Sequence, residues 1–508
     1  MLRILKGLFG RLLGTPGRLT AVSGYLALFT VMGVGFCSVP LAFQFMGDEE
    51  FGLWNVLSQS LGLLLLIDFG VSSAASRILA EPLQAGARDE IDSWWTVLVL
   101  VLGAQGLAML LIGLTFEPVI LRSFPIPQQL QDDAQLLWRT LILASAVKNP
   151  FQALTGILFC QNRLYHMHFA NAFGSLVNLV VFFILLKTGL GIRAFAGAVM
   201  VNVAVTVVYW YLAVRKSGLR LHLRPRHFSA AKLKTLYSYS GSIFLLAVAG
   251  QVVVAAQPMI VAAAFGVAAA APFAISMKAY TVLSQVLSRT VDAKTPRWLL
   301  LHVEGRTAEI VTEWKRLIRW ITPIVFFCAA GLLVFNRSFV ALYVSPDMHE
   351  GRDFDALLAV TLVIQQLARP LLFLFVMTRR TWSLSTVAMI DAAVQVALGC
   401  LFVRWWGAPG VMAAGIFGTL LTSIPFILAM APGLVHSGRR SFYTGILPDI
   451  IAGSAVLASV WLFVSRPGAY SGWFPQAMEW YAGILIVVLA GWGMHRLSST
   501  GVLRFGTR

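Results

Sequence analysis

The sequence predicts an all-α polytopic membrane protein: about fourteen transmembrane helices, set as two six-helix lobes around a central cavity plus two C-terminal helices. Three observations carry this. Hydrophobic residues fill 58% of the 508 positions and charged residues only 12%, against roughly 45–50% and about 25% in soluble domains. A water-soluble chain of this size has no way to hide so much apolar surface. Apolar runs of roughly 20 residues, the helical length that crosses a bilayer core of about 30 Å, recur along the whole chain. The opening of the chain is also echoed near its middle, as an internal duplication requires.

Residues 1–19 interleave Leu2, Leu5, Leu8, Phe9 and Leu12 with Arg3, Lys6, Arg11 and Arg18. Their apolar stretches are too broken for a signal-peptide core and no small-residue cleavage site follows. A basic amphipathic helix on the inner leaflet is expected instead. Spans are expected near 20–45, 52–78, 93–116, 134–159, 166–187 and 194–214, which make an N-lobe over 20–214. A basic linker at 215–236 leads into a C-lobe over 237–430, with spans near 237–264, 270–291, 316–343, 354–378, 383–403 and 408–430. The last two, near 446–465 and 478–495, share 431–508 with a C-terminal tail.

The net charge of +17 would point to nucleic acid in a soluble chain. Its placement points elsewhere. With the N-terminus inside, the cytoplasmic face receives the basic tail and the linker with Arg215, Lys216, Arg220, Arg224, Arg226, Lys232 and Lys234. It also receives 293–319, Arg379, Arg380, Arg439 and Arg440. The outer face receives Asp48, Glu49, Glu50, Asp132, Asp133, Asp347, Glu350, Asp353 and Asp355. About 26 Lys and Arg fall inside and about 7 outside, which places both termini in the cytoplasm and accounts for the charge without nucleic acid.

The repeat is carried by RLTAVSGYLALFTVMGVG before and into the first span and KLKTLYSYSGSIFLLAVAG before and into the seventh. Phe51-Gly52 and Phe265-Gly266 precede the spans that follow each. Six spans per half is an even number, so the halves keep one orientation about an axis along the membrane normal.

Ionisable residues inside a span are costly and face protein or water. Those left at membrane depth or span ends are mainly cationic: Arg77, Arg139, Lys148, Lys278, Arg289 and Arg369, against Asp68 and Asp391. A cationic set matches a cargo that carries phosphate. Lys278, Gln285, Arg289 and Asp292 share a narrow stripe at 3.6 residues per turn. Gln365 and Arg369 are i, i+4 neighbours, as are Lys148 and Gln152, with Thr155 a turn on, and Asp391 with Gln395. Asn171, Ser175 and Asn178 give an uncharged polar face for sugar hydroxyls. Lys148, Lys278, Arg289, Arg369, Gln152 and Gln285 are the candidate substrate-binding residues, and Asp68 and Asp391 the candidates for ion coupling. Against this stand plainer roles: Arg77, Arg139 and Arg289 can snorkel to head groups, and Asp68, followed by Gly70 and two serines, can cap a broken helix.

No G-x-x-x-x-G-K-[ST] loop occurs, so ATP hydrolysis by this chain is not expected. No metal-ligand cluster appears, no cofactor is implied, and the four cysteines (Cys37, Cys160, Cys328, Cys400) form no CxxC pair. The short outer connections leave no room for an enzyme's active site.

At 45–82 the chain reads FMGDEEFGLWNVLSQSLGLLLLIDFGVSSAASRILAEP. Gly47, Phe51-Gly52-Leu53-Trp54 and Asp68-Phe69-Gly70-Val71 resemble the second-span signature of the Wzx-type polysaccharide-unit flippases. That family shares a superfamily with multidrug exporters and lipid-linked oligosaccharide exporters. A second stretch, GILFCQNRLYHMHFANAFGSLVNLVVFFILL at 156–186, is similar to the family's fourth-to-fifth span turn. The resemblance covers about the first 220 residues. It implies alternating access in a bacterial inner membrane, coupled to an ion. It also implies an undecaprenyl-pyrophosphate-linked oligosaccharide as cargo, membrane lipids around it, and a polysaccharide polymerase or glycosyltransferase machinery as partner. A cation-coupled multidrug or metabolite antiporter of the same fold is the alternative, and a membrane polysaccharide polymerase or ligase a third.

Overall fold

The computed structural model describes residues 16–464 apart from 220, 224–228, 239–240, 379 and 445. Among these every regular element is helical. The principal helices are α1 Pro16–Phe43, α2 Asp48–Leu64, α3 Val71–Ala85, α4 Arg88–Thr115, α5 Gln131–Lys148, α6 Ala153–Cys160, α7 Tyr165–Lys187 and α8 Arg193–Lys216. They continue with α9 Gly241–Phe265, α10 Ala270–Ser276, α11 Lys278–Asp292, α12 Thr307–Tyr343, α13 Arg352–Met377, α14 Thr381–Trp406, α15 Ala408–Leu421, α16 Ser423–Leu434 and α17 Leu447–Val464.

Eleven helices of the described residues are long and apolar enough to cross a membrane, or twelve if the bent pair Val267–Ser276 and Lys278–His302 is one span. The expected fourteen are counted over the whole chain. The thirteenth, Leu447–Leu462, is a shorter apolar helix. The expected span at 478–495 lies outside the described residues, as does most of the expected amphipathic segment 1–19. The protein is a multi-pass membrane protein.

Three expected spans are interrupted, each for a local reason. The run 52–78 stops at Asp68, because Phe69 and Gly70 take left-handed backbone at φ 48° and 73°, a conformation that ends a right-handed helix. The Asp68 carboxylate then accepts from the Ser72 N–H at 3.3 Å and the Ser72 hydroxyl at 2.7 Å, which secures the start of α3. The run 270–291 bends by 46° between α10 and α11. The run 134–159 remains one span, but a 3-10 turn at Asn149–Gln152 replaces its α-geometry at Pro150, which has no N–H to give.

The chain forms two compact units, Met1–Ala274 with Ser385–Gly407, and Ile275–Leu384 with Ala408–Arg508. In the first, α7 packs along both α1 and α8, and Trp54, Phe195 and Phe182 stack with centroids 4.0 and 4.3 Å apart. Helix α2 meets α9 and the turn that follows it so closely that a Cβ on Gly52 would overlap the Val267 carbonyl oxygen. Only glycine permits that approach. In the second unit α12 packs on α13 and α17, and Trp314 stacks on Phe442 at 4.2 Å. An apolar cavity of about 630 Å³ opens among α12, α13, α16 and α17, with Phe326, Leu371 and Trp461 on its walls.

Candidate functional site

In the second unit α11 and α13 meet through a ladder of polar side chains. The Tyr280 hydroxyl donates to Gln365 Oε1 at 2.6 Å, Gln366 Nε2 donates to the Ser284 hydroxyl at 2.9 Å, and Arg369 Nη2 donates to Asp292 Oδ1 at 2.9 Å. The i, i+4 spacing of Gln365 and Arg369 does put both on the face toward α11. Pro370, buried beside them, removes the N–H that the Gln366 carbonyl would otherwise accept. The ladder sits at that weakened turn.

The face of α11 that packs into its unit carries Tyr280, Leu287 and Val291. Lys278 lies about 200° around the helix from Tyr280, so Lys278, Gln285 and Arg289 look away from that face, while Asp292, the fourth member of the expected stripe, meets Arg369 on α13. Gln285 and Arg289 are exposed and Lys278 is half-buried. Arg369 differs: its guanidinium is neutralised by Asp292, with the two side chains 43% and 40% exposed. It reaches an anion only by exchanging one carboxylate for another acid. Lys278 has no such partner among the described residues.

In the first unit Lys148 closes α5, half-buried, with its ammonium 5.6 Å from the centroid of the Trp210 ring on α8. An aromatic face attracts a cation by about 0.5–2 kcal/mol, less than the roughly 3 kcal/mol that a lysine costs at a helix centre in a bilayer. No carboxylate among the described residues offsets the rest. Gln152 does not continue a straight stripe from Lys148. Across the 3-10 turn its amide donates to Asn149 Oδ1 at 2.9 Å, and Asn149 donates to the Leu102 carbonyl at 2.8 Å.

Asp68 caps α3, and its backbone carbonyl accepts from Gln105, which also bonds Tyr237. Asp391 on α14 is 8% exposed and accepts from Gln395 Nε2 at 3.0 Å, as their spacing predicts. Arg77 is exposed. Arg139 pairs through two bonds of 2.8 Å with Glu117, a carboxylate only 8% exposed. Asn171 is exposed and Ser175 and Asn178 are half-buried. Three participants escape the sequence: Trp210 beneath Lys148, Gln366 within the ladder, and Tyr280. The alternation of α11 contains Tyr280, but nothing in its spacing separates it from the apolar residues beside it.

The sequence matches no protein-family model and no curated protein. Solved structures do match its fold. The lipid II flippase MurJ in an inward closed conformation is similar over 94% of this chain and 99% of its own, with a TM-score of 0.65 and 13% identity. An inward-facing multidrug resistance MATE transporter of the MOP superfamily is similar over 85% and 95%, at 0.61 and 16%. An outward-facing MATE transporter of that superfamily covers 89% and 98%, at 0.58 and 17%. The chain shares its fold with these transporters.

Proposed function

We propose that this chain is a flippase that carries a polyprenyl-pyrophosphate-linked oligosaccharide from the cytoplasmic to the outer leaflet of a bacterial inner membrane. The observation that favours an anionic cargo is the pair Lys148 and Lys278, half-buried within spans and without a carboxylate partner among the described residues. An ammonium group left uncompensated in a low-dielectric setting is stabilised by a phosphate and repels a cationic drug. In this reading Lys148, Lys278 and Arg369 are the candidate pyrophosphate-binding residues, with Arg289, Gln152 and Gln285 contributing. The sugars meet the polar face of α7, and the prenyl tail stays in lipid. Two six-helix lobes, 20–214 and 237–430, alternate access about the linker at 215–236, driven by an ion gradient. Both termini are cytoplasmic.

The similarity to MurJ, described as a lipid II flippase, supports a lipid-linked cargo. The similarity to multidrug resistance MATE transporters supports the second reading, an antiporter of small drugs or metabolites in which Asp68 or Asp391 carries the coupling ion.

A deletion strain separates them. The flippase reading expects lipid-linked oligosaccharide to build up facing the cytoplasm and surface polysaccharide to be lost. The wild-type gene should restore both, and Lys148→Ala with Lys278→Ala should not. A strain that exports normal polysaccharide without build-up, and becomes sensitive to cationic drugs, establishes the antiporter instead.

A further inference from the structure

One end of the second unit holds a buried polar cluster that the proposed cargo site does not use. Asp355, one turn into α13, is 2% exposed. One of its oxygens accepts from Asn336 Nδ2 at 2.6 Å, and the other is bonded by His349 Nε2 at 2.8 Å, an imidazole 7% exposed. Asn336, 1% exposed on α12, also donates to the Ser276 carbonyl at 3.1 Å, and its Oδ1 finds no partner among the described residues. The Ser276 hydroxyl donates to the Met348 carbonyl at 3.2 Å and accepts the Glu350 N–H at 3.0 Å.

These bonds tie a titratable pair to a helix break. Ser276 ends α10, Met277 is the bend, and Lys278 opens α11. The connection 344–351 is thus stitched to the break by Ser276, and the break is stitched to Asp355 by Asn336. Both oxygens of Asp355 face nitrogen donors. That arrangement is not the cage of oxygens a hard cation such as Ca²⁺ needs, and a proton is the species the cluster can exchange.

The charges around the pair have been placed by the fold. Arg337 acts on Asp355 from α12 and Glu350 faces His349 from the connection. Arg352 is half-buried at the start of α13, and Asp347 and Asp353 are exposed. Within one turn of Ser276 on α10 and α11, Lys278 is the single charged side chain and Tyr280 is bonded to Gln365.

We propose that His349, Asp355 and Glu350 form a proton-binding site whose occupancy sets the helix break that carries Lys278. With the proton bound, the cluster holds the Asn336–Ser276 link, and the break keeps its bend. Loss of the proton leaves uncompensated negative charge buried in the cluster. The connection then separates from Ser276 and the bend relaxes, which moves Lys278. The site deepens the transport reading by naming H⁺ as an ion that the cargo-binding helix senses. Its value for transport rests on that reading, and the titration itself does not.

The test needs no cargo. In a background with Cys37, Cys160, Cys328 and Cys400 replaced by serine, Lys278→Cys carries a spin label, and the full-length protein sits in phospholipid vesicles. The electron-spin spectrum is followed from about pH 5 to about pH 8.5. The label should pass between two mobility states with a midpoint near pH 7, where burial has pushed the Glu350 carboxyl. Each of Glu350→Gln, His349→Gln and Asp355→Asn should remove the transition or move its midpoint by more than about one unit. A spectrum constant over this range, or a transition unchanged by all three substitutions, overturns the proposal. Asp355→Asn is the variant most exposed to misfolding, so His349→Gln and Glu350→Gln decide the outcome, with monodispersity checked by size exclusion. Absence of lipid-linked build-up in the deletion strain overturns the cargo reading and leaves this titration standing.

Discussion

Arg369 and Asp292 meet across the contact of α11 with α13, guanidinium to carboxylate at 2.9 Å, although 77 positions separate them in the chain. The pair closes a polar ladder that begins at Tyr280 and Gln365. In the flippase reading it makes Arg369 a cation held in reserve, unlike Lys148 and Lys278.

That reserve has a measurable signature. With the two side chains 43% and 40% exposed, a double-mutant cycle on thermal stability should give a coupling of no more than about 1 kcal/mol. Arg369→Ala should lower transport about tenfold or more, the equivalent of one charged hydrogen bond of about 1.5–3 kcal/mol, while Asp292→Asn should not. Equal loss in both variants would make the pair a structural brace only.

Lys148→Met keeps most of the length of the side chain and removes a half-buried charge that no carboxylate among the described residues compensates. Its melting temperature in detergent should therefore stay level or rise, while transport falls about tenfold or more. A fall in both would mean that the ammonium supports the fold through Trp210.

Gly52→Val places a side chain where its Cβ would overlap the Val267 carbonyl oxygen. Backbone must move, so the variant should lose about 1–3 kcal/mol of stability or fail to accumulate. Gly47→Ala is the control, since a Cβ there meets nothing within 4 Å. Yield and melting temperature of the two purified proteins decide it.

Glu350 gives a pH dependence with a definite sign. Burial raises its carboxyl from 4.5 to about 7, so the folded state holds a proton that the unfolded state has released. Its contribution to stability is full below about pH 4.5 and is lost as pH rises through about 7. Thermal unfolding between about pH 5 and 8 should show that decline, and Glu350→Gln should flatten it.

The order of the helices was legible in the sequence because a bilayer accepts only long apolar helices with every backbone group bonded internally. The breaks were legible only in part. Asp68-Phe69-Gly70 announced itself as a motif, but the left-handed backbone at Phe69 is not a pattern of residue types, and the run through 78 looked continuous. Met277 carries no breaker at all. Its bend is held by Ser276, Asn336 and the connection around Glu350, which come together from distant segments.

The candidate cations were found from the cost of burying charge, and that reasoning needs only a position in a span. Which of them keeps its charge unopposed depends on neighbours. Arg369 acquires Asp292, Arg139 acquires Glu117, and Lys148 acquires only the face of Trp210.

By itself, then, the sequence determined that lipid is the solvent, where most helices run, and which charged side chains fall within or beside long apolar helices, since hydrophobicity and charge act residue by residue. Tertiary structure decided where helices break, which charges are paired, and that His349 and Asp355 lie buried together. Those outcomes are set by distances of a few ångströms between residues far apart in the chain, and no local spacing encodes them.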